Sequence, residues 1–206
     1  MASQDWFVND LGDCQPRPTK REWDLLRERY YLHQFLTEIL DILANAPHEL
    51  EEWDYLPQIR LKVRQLVANS YWVKSNHSPP NPRTGAHVTT LYDEIGYPLT
   101  VQNVATLPGS LTSIHNHGTW GVIFQIQGTE CHRFWRRTNS KDEPFHIEPS
   151  GEHLLEPGQV LSFHPEAIHQ VQTVGKTTSV TFQLYGDTQP KGRFQFDPET
   201  QTAKNF

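Results

Sequence analysis

Hydrophobic residues recur at steps of three and four along the first third of the chain, and this spacing predicts two helices. The first begins at a capping box, Thr19-Lys20-Arg21-Glu22, and ends near Pro47. The second covers residues 48–69 and is divided or restarted at Pro57. The apolar face of each helix is typical of packing against a core. Residues 1–18 are polar and proline-rich, and we interpret them as an arm over the surface.

The pattern changes after Ser70, where short runs rich in Val, Ile, Thr and Phe alternate with Gly and Pro. The clearest runs are Leu99–Leu107, Gly121–Ile126, Glu130–Trp135, Gln159–Phe163 and Ser179–Leu184. Short strands without helices between them favour an antiparallel barrel or sandwich over a parallel α/β sheet. The predicted fold is therefore α+β and mainly β. We expect a single domain with a helical segment at 19–69, a barrel at 88–196 and a tail at 197–206.

Charge and composition exclude several classes of protein. The 18 basic and 24 acidic residues give a net charge of −6, which disfavours nucleic-acid binding. No apolar run approaches the ~20 residues that a membrane span needs, and the first residues lack the pattern of a secretory signal. Two cysteines are too few for a disulfide framework. We therefore expect a cytoplasmic protein, a monomer or small homo-oligomer, with no nucleic-acid or membrane partner.

Histidine spacing indicates a metal site. His115 and His117 are separated by one residue, so on a strand both rings lie on one face and can reach one ion. Glycines surround them in the string G-x5-H-x-H-x3-G-x6-G, which begins at Gly109. A second string contains Pro157-Gly158 and, eleven positions after that glycine, His169. Imidazole binds iron, zinc, copper and nickel alike, so the metal stays open at this point.

The two strings resemble the two signature motifs of the cupin superfamily, whose members are double-stranded β-helix (jelly-roll) barrels that carry a metal. The resemblance implies a ligand set of His115, His117 and His169, with His164 as a rival that we assign to the surface. The usual first motif has a Glu ligand where this chain has Gly121. Three neutral imidazoles leave a divalent site at +2, which favours an anionic soft donor such as a thiolate, with room for dioxygen.

The heptapeptide HNHGTWG, residues 115–121, resembles the thiol dioxygenase family, and most closely its 3-mercaptopropionate dioxygenase branch, where H-D-H-x-T-W-G is typical. Asn116 stands in place of the Asp. The resemblance implies one Fe(II) ion, in whose place zinc or nickel can be found after purification. It also implies that both atoms of O2 are inserted into the sulfur of a small thiol, 3-mercaptopropionate- or cysteine-like, to give a sulfinate.

The resemblance extends to a later strand and an arginine. Residues 179–186 resemble the family's V-S-x-H-x-Y-G strand, which implies site roles for Tyr185, Gln183 and Thr181. Gln183 replaces the histidine that the family uses to orient the tyrosine. Arg193 follows eight residues after Tyr185, where the mercaptopropionate branch places the arginine that holds the substrate carboxylate.

Two alternatives to a thiol dioxygenase stay open. The first is a non-catalytic metal-binding cupin that senses a ligand. Gln183 favours it, because an amide does not take up a proton near neutral pH. The second is a cupin enzyme of another reaction type, such as an isomerase or a dioxygenase that cleaves a carbon–carbon bond. For Arg193, an exposed turn is the plain alternative to a carboxylate site.

Overall fold

The computed structural model describes residues 4–18, 29–46, 55–138 and 145–206. Within these ranges the helices are α1 (Leu32–Ala44), α2 (Leu56–Asn69) and α3 (Tyr71–Ser75). The predicted capping box at 19–22 and the predicted start of the second helix at 48 lie outside the described residues. No helix in the described parts of the chain has the length and apolar character needed to cross a membrane.

The helices α2 and α3 begin at residues that suit a helix N-terminus. Pro57 lies in the first turn of α2, where the missing N–H removes no helical hydrogen bond. Pro57 therefore lies at the start of this helix, in agreement with the predicted restart. The hydroxyl of Ser70 accepts a hydrogen bond from the Val73 N–H at 3.1 Å and caps α3.

Strands make up most of the remaining described chain. They are β1 (Gln4–Val8), β2 (Cys14–Pro18), β3 (Ala86–Asp93), β4 (Thr100–Thr106), β5 (Ile114–His115), β6 (Gly121–Gln127), β7 (Thr129–Arg137), β8 (Ile147–Leu155), β9 (Val160–Phe163), β10 (Ile168–Val174), β11 (Ser179–Tyr185), β12 (Phe194–Asp197) and β13 (Thr202–Asn205). One sheet has the order β2-β1-β9-β6-β11-β4-β3, and the other has the order β13-β12-β5-β10-β7-β8.

The eight strands from β4 to β11 pair as a nested series. β7 pairs with β8, β6 with β9, β5 with β10 and β4 with β11, and every pair is antiparallel. Successive pairs alternate between the two sheets, so the chain winds as one long hairpin folded into a double-stranded β-helix. The predicted mainly β jelly-roll barrel with an N-terminal helical segment is confirmed.

The ends of the chain differ from the expectation. Residues 4–18 are not a surface arm, because β1 and β2 form an antiparallel hairpin and β1 pairs in parallel with β9. The predicted tail also joins a sheet: β13 pairs with β12, and β12 pairs with β5. Strand β3 begins at Ala86, slightly before the predicted barrel. The assignment of the whole chain to one domain stays a prediction.

The helices cover the outer face of the first sheet. Val180, Phe182 and Leu184 of β11 are buried, and the Phe182 and Leu184 side chains belong to one cluster with α1 and α2. The rings of Phe35 and Phe182 meet edge to face, with 6.1 Å between their centroids. Because side chains alternate along a strand, the intervening positions of β11 face the barrel interior.

A buried ion cluster attaches α2 to the hairpin. The Asp5 carboxylate accepts hydrogen bonds from Arg60 Nε at 3.2 Å and from Arg64 Nε at 3.0 Å, and Arg64 also bonds it through Nη2. Arg60 donates further to the Ser162 hydroxyl at 2.9 Å, and Arg64 to the Gly158 carbonyl at 2.7 Å. All three charged side chains are almost completely buried. The helix is therefore joined to β1 and to both ends of the β9 region.

Replacement of the shared carboxylate tests this cluster. We expect Asp5→Asn to lower the free energy of unfolding by about 3–5 kcal/mol, because two buried guanidinium groups lose their counter-ion. Glu148→Gln is the matched control, since Glu148 pairs with Arg136 at 2.7 Å with both side chains about half exposed. That change should cost at most about 1 kcal/mol in urea denaturation. An equal decrease in the free energy of unfolding in the two variants would contradict the stabilising role assigned to Asp5.

Candidate metal centre and adjoining cavity

Three histidines, one on β10, one on β5 and one just after β5, meet inside the barrel. His169 of β10 lies directly opposite His115 of β5 in the antiparallel register, and His117 follows two residues after His115. One ring nitrogen from each histidine lies within 4.8 Å of the other two. The sequence-predicted trio is therefore one cluster. His164 is not part of it, and its backbone N–H bonds the Val8 carbonyl.

The ring nitrogens fit a shared ion. His117 Nε2 and His169 Nε2 are 2.9 Å apart. Two imidazole nitrogens that bind one ion at right angles, each at about 2.1 Å, lie about 3.0 Å apart. His115 Nδ1 is 2.9 Å from the Ser113 carbonyl oxygen. Because a carbonyl only accepts, Nδ1 carries the proton and Nε2 keeps a lone pair for the cluster, as in known histidine ligands.

Burial keeps these rings neutral. It lowers the pKa of His115 and holds the pKa values of His117 and His169 well below the usual range. Neighbouring histidines lower each of these pKa values further, and the Arg193 guanidinium adds to the effect at His115 and His117. Neutral imidazole is the form that binds a metal. The donor set therefore suits a transition-metal ion.

Phe163 explains the missing carboxylate at position 121. Gly121 and Phe163 are directly opposite in the β6–β9 register, and a Cβ on Gly121 would collide with the Phe163 ring. That ring stacks on His117, with 4.9 Å between centroids, and lies 5.4 Å from His169. An aromatic side chain thus fills the space beside the histidines into which a longer residue 121 would extend.

The inward side chains of β11 form a hydrogen-bonded chain. The Tyr185 hydroxyl donates to Gln183 Oε1 at 2.7 Å, and Gln183 Nε2 donates to the Thr181 hydroxyl at 3.0 Å. Gln102 of β4 also donates to Gln183 Oε1, at 3.0 Å. The Tyr185 ring stacks on His117 with a centroid distance of 4.8 Å. Burial raises the pKa of Tyr185, so its phenol stays a neutral donor.

A cavity of about 260 Å³ adjoins the histidines. His117, Tyr185 and Arg193 line it, so three of the sequence-predicted site residues face one space. Gln102, Asp93, Thr100 and Thr188 complete the lining. Gln183 and Thr181 are not among the lining residues and are linked to Tyr185 through hydrogen bonds.

Arg193 presents an unpaired cation to this cavity. Within the described ranges, its buried Nε has no hydrogen-bond partner and the guanidinium has no ion pair with an acidic side chain. The group lies over the Phe206 ring, 4.2 Å from its centroid. An anion that entered the cavity could satisfy the guanidinium, which a simple exposed turn would not require.

Sequence reasoning missed several polar groups inside the barrel. His132 is fully buried, with its ring 5.7 Å from that of His169 and its Nε2 3.4 Å from the Glu130 carboxylate. Glu130 accepts from the Ser179 hydroxyl at 2.8 Å. Alternation along β7 is the signal that could have placed Glu130 and His132 on one face. Gln102 and Asp93 belong to no motif and reach the cavity through the pairing of β3, β4 and β11.

No protein-family model matches the chain, and it has distant similarities to solved structures. Oxalate oxidase in complex with glycolate is 17% identical, with a TM-score of 0.42 over 57% of this chain and 58% of that chain. This chain thus spans less than two thirds of that protein. An uncharacterized double-stranded β-helix protein from Klebsiella pneumoniae is 12% identical, with a TM-score of 0.44 over 58% of this chain and 85% of that chain. KdgF from Halomonas sp. is 13% identical, with a TM-score of 0.41 over 56% and 92% of the two chains. These similarities are too distant to assign a ligand or a reaction.

Removal of single histidines tests the metal centre. We expect the protein to bind one transition-metal ion per chain, and His117→Ala or His169→Ala to weaken binding by more than about tenfold. Metal content after loading and desalting, measured by plasma mass spectrometry, gives the readout. His87→Ala is the control, because His87 is exposed on β3 and outside the cluster. Full occupancy in both ligand variants would exclude this centre.

Proposed function

We propose that the protein is a dioxygenase that converts a small thiol carboxylate, 3-mercaptopropionate- or cysteine-like, to its sulfinate. One Fe(II) ion would be held by His115, His117 and His169. The observation that carries this proposal is the shared cavity, in which a ligand histidine, a tyrosine hydroxyl and an unpaired guanidinium face the same space. These groups match the three needs of the reaction: a metal, a hydrogen-bond donor and an anion site.

Bound iron would supply the redox chemistry and the open coordination positions that three protein ligands leave. The overall change, RS⁻ + O2 → RSO2⁻, needs no further reductant, since sulfur loses the four electrons that dioxygen gains. The ligand set supports a thiolate partner. Three neutral imidazoles do not offset the charge of a divalent ion, and the Phe163 ring leaves no space for a carboxylate from position 121.

Arg193 would bind the substrate carboxylate. A guanidinium can hold a carboxylate with two parallel hydrogen bonds, and the Arg193 guanidinium has no acidic partner within the described chain. Asp93 lines the same cavity, so a second carboxylate on the substrate would meet an unfavourable charge. A thiol with a single carboxylate therefore suits this cavity.

On substrate binding, the single O–H of Tyr185 would turn from Gln183 Oε1 and donate a hydrogen bond to the reacting atoms. Its raised pKa keeps the proton on the phenol, and its stacking on His117 places the ring beside the ligand cluster. Without substrate, Gln183 Oε1 accepts from both Tyr185 and Gln102, so it holds the phenol in place without gaining or losing a proton. Thr181 in turn fixes the Gln183 amide. These hydrogen bonds would therefore orient Tyr185, and they would not serve as a proton relay.

The chief alternative is a metal-binding module that senses a ligand without turnover. The Gln183 amide supports this alternative, because the hydrogen-bonded series Tyr185–Gln183–Thr181 contains no group that titrates near neutral pH. A cupin-type enzyme with another reaction is the second alternative. It shares the metal and differs only in its substrate.

Oxygen uptake tests the reaction. Protein loaded with Fe(II) should consume O2 with 3-mercaptopropionate or cysteine and form one sulfinate per O2. Mercaptosuccinate should be slower because of Asp93. Cysteamine, which lacks a carboxylate, should be the weakest substrate. An oxygen electrode and mass spectrometry of the product provide the measurement.

His169→Ala should abolish oxygen uptake, whereas His87→Ala should retain it. No uptake with any of these thiols at full iron occupancy would exclude the proposal for them and favour the ligand-sensing module.

Two substitutions in the cavity should separate binding from chemistry. Arg193→Gln should raise KM for 3-mercaptopropionate by about 10–100-fold, because a charged hydrogen-bond pair is lost. Tyr185→Phe should instead lower kcat by about 10–100-fold with a smaller change in KM, because a donor to the reacting atoms is lost. Steady-state kinetics with one thiol gives both values. Identical effects of the two changes would show that neither residue has its assigned role.

A further inference from the structure

Asn116, the residue between His115 and His117, forms hydrogen bonds to the segment that carries Arg193. Asn116 is fully buried. Its Oδ1 accepts the Phe194 N–H at 2.7 Å, its Nδ2 donates to the Gly192 carbonyl at 2.8 Å, and its backbone N–H donates to the Phe194 carbonyl at 3.2 Å. Asn116 thus bonds the residues immediately before and after Arg193.

These contacts require an amide. One partner is an N–H that needs an acceptor, and the other is a carbonyl that needs a donor. A carboxylate could accept from Phe194 but could not donate to Gly192, whereas the Asn side chain satisfies both. Since His115 and His117 flank Asn116, the backbone at Arg193 is held at a constant position relative to both ligand histidines.

A second set of contacts holds Arg193 from the opposite side. Asn205 Nδ2 donates to the carbonyls of Arg193 and Pro190, each at 2.7 Å, and the Phe206 N–H donates to the Arg193 carbonyl at 3.3 Å. The Phe206 ring covers one face of the guanidinium, with 4.2 Å to the centroid. The same ring meets His115 edge to face, with 6.1 Å between centroids.

We propose that Asn116 and Phe206 are positioning residues that orient the Arg193 guanidinium toward the cavity and so make the site select thiols that carry a carboxylate. A ring on the guanidinium face leaves its N–H groups free in the plane, where a carboxylate binds. Asn116 holds the main chain, and Phe206 holds the side chain. The identity of the anion rests on the function proposed above, whereas the positioning itself does not.

Anaerobic binding separates this role from general stability. Calorimetry on metal-loaded protein compares 3-mercaptopropionate with 3-mercaptopropanol, in which a hydroxyl replaces the carboxylate. Phe206→Leu should weaken binding of 3-mercaptopropionate by about two- to fivefold, because the cation–π contact is lost. Asn116→Ala should weaken it by about two- to tenfold, because two hydrogen bonds to the segment are lost. Binding of 3-mercaptopropanol should change less than either effect.

Metal content and melting temperature are recorded for each variant, and Tyr71→Leu provides the control because Tyr71 is 81% exposed on α3. If Asn116→Ala does not fold or loses its metal, Phe206→Leu decides alone. Equal weakening of both ligands, or no change with Phe206→Leu, would overturn the proposal. So would a wild-type protein that binds the two thiols equally.

Turnover gives an independent readout. Both variants should raise KM for 3-mercaptopropionate by the same factors and leave kcat within about twofold, since the reacting atoms are not touched. If no thiol is oxidised but the carboxylate-selective binding pattern is found, the proposed function fails and the positioning inference stands. If a thiol is oxidised but the variants lower kcat without raising KM, the positioning inference fails.

Discussion

The nested antiparallel pairing of β4 to β11 is the constraint on which the site depends. It brings β5 and β10 side by side, so that His115 and His169, which are distant in the sequence, become direct cross-strand neighbours. The next pair out, β4 with β11, places Gln102 opposite Gln183. Ligand cluster and hydrogen-bonded chain are thus consequences of one register. A shift of a single residue in either pair would turn these side chains to the other face.

Because side chains alternate along β11, its outward residues pack against the helices and its inward residues reach the candidate site. The outward residues of β11, such as Phe182 and Leu184, pack against α1 and α2 in the main apolar cluster. The inward residues carry hydroxyl, amide and phenol groups toward the histidines. Because the helices supply apolar burial on the outer face, the barrel interior can hold the Glu130–Ser179 hydrogen bond and, beside it, the buried His132 ring. The helices α1 and α2 therefore support a polar interior, and none of their described residues lines the cavity.

Local motifs could be predicted from the sequence, whereas non-local contacts could not. The His115–His117 spacing and the glycine frame are local, and together with the second motif they led to the ligand trio and the jelly roll. The β1–β2 hairpin was missed because Asp5 looks like a surface residue until Arg60 and Arg64 of α2 are folded against it. Likewise, Gly121 alone marks an absent ligand, and only the β6–β9 register reveals that Phe163 fills the space.

Two amides determine the charge of the proposed site. Gln183 and Asn116 stand where the sequence resemblance to thiol dioxygenases implies a histidine and an aspartate. The Asn116 side chain accepts one hydrogen bond and donates one, and the Gln183 side chain accepts two and donates one. They orient Tyr185 and Arg193 without adding charge. A divalent ion on three neutral imidazoles would leave the proposed centre positive, since the nearby Arg193 guanidinium has no acidic partner among the described residues. A ligand with a thiolate at one end and a carboxylate at the other brings negative charge to both positions, which a neutral thiol or a thiol amine does not.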